Sequence, residues 1–229
     1  MNDTDTVMPL AAAGSTAVWC GDEVTAGAGA SDLAHRYSTL ASTMLGLEER
    51  NQAEAGAGWM VDGNTLTGQL DAAAAGSTGV TVGYVFLMAG LLDSFANVAG
   101  MQQAVADTIA HAAELFPGAR VVVGCGPGCI HPRTDDTALS AQAHVLTAIR
   151  LAADHAGALC IPDMRSICGN DPDLRADGIT PNDAGHALLA QTIETAVREA
   201  QGEPLDTPVT DLKRKYISGG NSWTAGQIQ

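Results

Sequence analysis

The sequence predicts a three-layer α/β/α sandwich with a mainly parallel sheet. Short apolar runs rich in β-branched residues alternate with amphipathic helical stretches, the signature of βαβ units. The 229 residues are 46% hydrophobic, enough for one well-packed core. No internal repeat and no second core interrupt the alternation.

Thr16 to Cys20 is a short apolar strand running into Gly21 and Asp22. Ser31 to Leu47 reads as a helix, with Ser31 as N-cap, Leu33, Tyr37, Leu40, Met44 and Leu47 as its apolar stripe, and Gly46 near its end. Gly79 to Met88 is the next strand, and a helix from Val98 to Phe116 is stopped by Pro117 and Gly118. Arg120 to Gly124 is a β-branched run beside glycines, hence a buried strand. Ala138 to Ala156 forms a long amphipathic helix, Ala158 to Pro162 the last strand, and Asn182 to Ala200 the last helix, with Asn182 or Asp183 at its N-cap. After Gln201 the pattern dissolves into a polar stretch. The expected organisation is an N-terminal arm (1–13), the α/β domain (14–201) and an extended C-terminal tail (202–229).

The formal net charge is −15 and the isoelectric point about 4.5, which disfavours nucleic acid as a partner. Only Lys213 and Lys215 are lysines. The tail balances Lys213, Arg214 and Lys215 against Glu203, Asp206 and Asp211, so the body carries the whole net charge. The first residues lack a basic n-region and a long apolar stretch, so no secretory leader is expected. No apolar run approaches the roughly 20 residues that span a bilayer, so no membrane is expected either. The five cysteines are Cys20, Cys125, Cys129, Cys160 and Cys168. Their spacing matches neither a redox motif nor half a zinc site, so buried free thiols are expected. His35, His111, His144, His155 and His131 form no ligand set, and no metal or other cofactor is expected. Met60, Met88 and Met101 read as core filler.

Four segments carry a resemblance. They are Gly21-Asp22-Glu23 followed by Thr25-Ala26-Gly27; Gly56, with Asn51 before it; Gly90-Leu91-Leu92-Asp93 at the end of an apolar strand; and Asp177-Gly178-Ile179-Thr180 running on to Gly185-His186. Over about residues 14–200 the chain resembles the SGNH (GDSL-type) hydrolases. In that family Ser, Gly and Asn supply the oxyanion hole, and Ser, His and Asp form the triad. The resemblance places Glu23 at the nucleophile, Leu92 at the Asn and Thr180 at the His, while Gly56 and Asp177 match. A missing oxyanion donor typically costs roughly 10²–10³ in rate. Threonine has no pKa near neutrality with which to take a proton. The resemblance with these changes therefore implies a degenerate site without catalytic residues.

Two repairs stay open at this stage. One is a relocated hydroxyl system using Ser94 or Thr25 with His186; the other pairs the carboxylates of Glu23 and Asp177 across the pocket. The chain also resembles the SGNH-like domains of virion proteins from phages of actinobacteria. That likeness implies a virion location, as a minor tail or capsid-associated component. It implies docking through the tail (Lys213, Arg214, Lys215, Tyr216 and Trp223) to other virion proteins or to itself, with a host-surface glycan as a possible ligand. The alternatives are an esterase with a nonstandard site and a carbohydrate- or ligand-binding module.

Overall fold

The structure, a computed structural model, describes residues 15–95, 98–125, 136–161, 164–168 and 171–202. Cys129, His131, the side chain of Ser94 and every docking residue expected in the tail lie outside the described residues. The expected α/β/α sandwich is the observed fold. Strands β1 (Thr16–Gly21), β2 (Glu48–Asn51), β3 (Val82–Met88), β4 (Arg120–Gly124) and β5 (Leu159–Cys160) form one parallel sheet in the order β2-β1-β3-β4-β5. Between them run α1 (Glu23–Ala26), α2 (Tyr37–Met44), α3 (Leu66–Gly76), α4 (Val98–Leu115), α5 (Asp136–Ala156) and α6 (Arg165–Cys168), with α7 (Asp183–Ala200) at the end.

Sheet residues alternate between two cores. Val18, Cys20, Val85, Leu87 and Val123 face one core with α3, α4 and α5. Ala17, Trp19, Tyr84, Phe86 and Val122 face the other with α2 and α7. Because both faces are covered, β1 and β3 are near-continuous apolar runs, which is why they were legible. Trp19 stacks on Phe86 at a centroid distance of 3.8 Å, and its indole N–H donates to Ser42 Oγ at 2.9 Å.

Three expectations shift. Strand β2 escaped sequence reasoning because its residues, Glu48-Glu49-Arg50-Asn51, are polar; it is an edge strand, and its pairing with β1 is tertiary. Helix α3 was also missed, although Thr65 caps it through Gly68 N–H and Leu66, Leu70 and Ala73 keep helical spacing. Ser31 is not an N-cap: α2 starts at Tyr37 after Arg36, and residues 27–36 are a loop bound to the start of α7. Asn182 does cap α7, accepting from Gly185 N–H at 3.1 Å. Met88 and Met101 are core, whereas Met60 is 41% exposed.

Among the described residues no helix is long and apolar enough to cross a membrane, and no cluster of three or more His, Cys, Asp or Glu could hold a metal ion. Cys20, Cys160 and Cys168 are free thiols. Burial pushes Cys20 up to about 12, and Cys160 and Cys168 up to about 11, so they are protonated and unreactive near neutrality.

Candidate functional site

In an open parallel sheet the crevice forms where the strand order reverses, outside the carboxyl ends of the strands. Here that point lies between β1 and β3. Gly21 ends β1, where an added Cβ would sit 2.3 Å from Met88 O and 2.4 Å from Thr25 Oγ1. Only glycine lets the chain pass there. Asp22 then caps α1: its Oδ1 accepts from Val24 N–H at 3.2 Å and Thr25 N–H at 3.5 Å. Its Oδ2 is buried without a partner among the described residues. Burial first, then the charge of Glu23, with a smaller push from Asp93, raises Asp22 to about 8 against the pull of those two N–H groups. Asp22 is therefore a neutral acid at pH 7.

Glu23 opens α1, half-buried, and its Oε2 accepts from Gly56 N–H at 3.3 Å. Gly56 takes φ +81°, a left-handed turn that aims this N–H at the crevice. Behind it, Asp93 is buried: Oδ2 accepts from Trp59 N–H at 3.0 Å and Oδ1 from Met60 N–H at 2.9 Å. Burial raises its pKa, and the two N–H groups oppose the rise. Asp93 thus pins the loop that carries Gly56. Leu92 beside it is 48% exposed, so it stands at the rim.

The last segment forms a separate turn. Asp177 Oδ1 accepts from Thr180 N–H at 2.7 Å, Ile179 N–H at 2.9 Å and the Thr180 hydroxyl at 3.0 Å. These bonds, that from Thr180 N–H foremost, hold the exposed Asp177 below the usual carboxylate range. Thr180 also lies against Gly29, whose φ is +87°; a Cβ there would come within 2.1 Å of Pro181 O and 2.6 Å of Thr180 Oγ1.

The relocated hydroxyl system contemplated from sequence does not match this geometry, because both Thr25 and His186 are committed elsewhere. Thr25 is buried, its hydroxyl bonded to Tyr37 Oη at 2.6 Å and donating to Met88 O at 3.0 Å. His186 is buried and spans two backbones: Nδ1 accepts from Tyr37 N–H at 3.1 Å, which leaves Nε2–H to donate to Ala28 O at 3.0 Å. Both ring nitrogens are spent, and burial lowers its pKa, so it is a neutral structural bridge. Glu23 and Asp177 are each held by backbone donors in different turns; the charges bearing on Asp22 are those of Glu23 and Asp93.

Sequence reasoning missed a third group, Ser31, Asp32, His35 and Asp183. Ser31 donates to Asp183 through N–H and Oγ–H, both at 2.8 Å. His35 Nδ1 lies 2.8 Å from Asp32 Oδ1 and 3.3 Å from Ser31 Oγ. The hydrogen bond to Asp32 raises His35 and lowers Asp32. This resembles a Ser-His-Asp set, but a triad needs the carboxylate and the hydroxyl on opposite ring nitrogens. Here both share Nδ1. An open depression of about 340 Å³ lies alongside, lined by Gly29, Ser31, Asn182, Asp183 and Ala184.

The model of the GDSL-like lipase/acylhydrolase family matches residues 20–188. The chain belongs to this family. No curated protein matches it. Solved structures of GDSL-like and related folds superpose over most of the chain. A carbohydrate esterase family 2 enzyme with a carbohydrate-binding domain from Corynascus thermopiles (Myceliophthora fergusii) gives a TM-score of 0.66 at 20% identity, covering 85% of this chain and 69% of that one. A member of the lipolytic protein G-D-S-L family from Veillonella parvula gives 0.62 at 17%, covering 78% and 95%. A carbohydrate acetylesterase family member from Sinorhizobium meliloti gives 0.57 at 17%, covering 82% and 99%. At these identities the likeness is one of fold. The GDSL-like match spans all four segments described above, from Gly21 to His186.

Proposed function

We propose that this family member has lost the ester hydrolysis of its relatives and works as a non-catalytic interaction protein. One contact carries the reading: the carboxylate of Glu23, at the family's nucleophile position, accepts the Gly56 N–H that the family offers to an oxyanion. An internal anion thus sits where a developing negative charge would be stabilised, and a second anion there is repelled. The other replaced positions agree. Leu92 has no donor, and Thr180 gives its hydroxyl to Asp177 instead of accepting a proton. The neutral Asp22 completes a site tuned to hold carboxyl groups close together rather than to move a proton between base and nucleophile.

The test is turnover of a short-chain chromogenic ester by the purified chain, by Glu23→Ala, and by the combined reversion Glu23→Ser, Leu92→Asn, Thr180→His. No turnover in the native chain with measurable turnover in the reversion supports the proposal. Native turnover that disappears in Glu23→Ala overturns it.

Within this reading the chain is a structural component of a virion, as the likeness to actinobacteriophage domains implies, with the tail as its docking segment. Co-sedimentation with particles, and its loss on deleting 203–229, is the expected result; a chain found only in the soluble fraction refutes it. The open depression lined by Gly29, Ser31, Asn182, Asp183 and Ala184 favours a second reading, a binding module for a sugar or acyl group. Short glycans or esters that raise the melting temperature would support it, since a ligand bound only to the native state stabilises it.

A further inference from the structure

Among the described residues five large apolar side chains are exposed, and four of them sit in the connections at one end of the sheet, Leu92 in a short 3-10 turn. Leu33 (65%) follows α1, Met60 (41%) lies on the Asp93-pinned loop, Leu92 (48%) follows β3, and Ile179 (38%) precedes α7. The same loops carry the exposed acids Glu54, Asp62 and Asp177, and among the described residues these three join no ion pair. Elsewhere Arg50 pairs with Glu48, His111 with Asp71 and Arg198 with Glu194. The crevice end is thus acidic and studded with apolar side chains.

We propose that this rim is the docking site of the chain's own segment Lys213–Trp223, folded back in cis. The segment complements the rim. It begins with Lys213, Arg214 and Lys215 and brings two aromatic anchors, Tyr216 and Trp223, in a chain whose remaining charge is strongly negative. It holds the only two lysines of the sequence. The distance fits as well. Helix α7 starts at the rim, where Asp183 binds Ser31, and ends at the opposite edge, where Gln201 Nε2 donates to Tyr84 Oη near the start of β3. Its 18 residues span about 27 Å at 1.5 Å per residue. The 11 residue steps from Gly202 to Lys213 span about 36 Å when extended. The return path needs no unfolding of α7.

Docking there covers these exposed apolar side chains, and the segment would have to leave the rim to engage a partner protein. The inference does not depend on the absence of hydrolysis, because its test reads position and not turnover.

The experiment is zero-length carbodiimide cross-linking of the full chain, mixed from equal ¹⁵N-labelled and unlabelled portions, followed by peptide mapping. Lys213 or Lys215 joined to Glu54, Asp62 or Asp177, with both halves of each pair carrying the same isotope, is the expected result. Tyr216→Ala with Trp223→Ala retains both lysines and should lower the yield of these links roughly fivefold, the equivalent of about 1 kcal/mol. Links confined to acids at the other end, such as Glu199 or Asp154, or spread evenly over the surface, overturn the proposal. Mixed-isotope pairs alone overturn it too, because the occupant is then a second copy.

Discussion

Replacing Asp22 by Asn tests whether a buried, protonated acid lies under the crevice. Asparagine keeps the Oδ1 acceptor for Val24 and Thr25 N–H, so the cap of α1 survives, and only the ionisable proton is removed. In the unfolded chain the carboxyl titrates at its ordinary 3.8; folded, burial and the neighbouring charges place it at about 8. Between those values the native state holds a proton that the unfolded state lacks. The contribution is fully present below pH 4 and is lost as pH rises towards 8, at about 1.4 kcal/mol per pH unit. From pH 6.5 to 8, allowing for the slope flattening at the folded pKa, the native chain should lose about 1.5 kcal/mol more than Asp22→Asn. For a domain of this size that is roughly 3–6 °C in melting temperature. His35, raised by Asp32, adds a slope of the same sign, but it is present in both proteins and cancels in the comparison. Paired thermal melts across this range are the assay. Parallel pH profiles for the two proteins would refute the account of Asp22 as a neutral acid.

His186 is buried and neutral with its pKa lowered, so its contribution is present above pH 6.5 and is lost as pH falls. Its imidazole resonances should titrate below pH 6.5, and a titration above that value would contradict the bridge from Tyr37 to Ala28. Gly29→Ala should destabilise by about 1–3 kcal/mol, since φ is +87° and the new Cβ meets the Pro181 carbonyl; denaturant melts check this. Phe86→Ala removes a fully buried ring stacked on Trp19 and should cost about 3–5 kcal/mol in the same assay. Ser31→Ala removes the Oγ–H bond to Asp183, leaves the backbone N–H bond in place, and should speed amide exchange in residues 28–36 while leaving the core strands protected.

The fold was legible where burial imposes a pattern. Strands β1, β3 and β4 are apolar on both faces, and α4, α5 and α7 are long enough for their stripes and stops to show. It was illegible where an element depends on its neighbour. Polar β2 is a strand because β1 offers it backbone partners. Ser31 has the chemistry of a helix cap, yet Asp183, 152 positions away, takes both its donors.

By itself the sequence determined the class of fold, the family and the positions of its four segments, because periodicity, glycines and short motifs are local properties of the chain. Only the tertiary structure decided what the side chains there do. It set Glu23 on the Gly56 N–H, spent both nitrogens of His186 on backbone groups and left Asp22 buried with one oxygen unpaired. The physical reason is that hydrogen bonding and pKa depend on what lies within a few ångströms, and at this site those neighbours come from segments up to 158 residues apart.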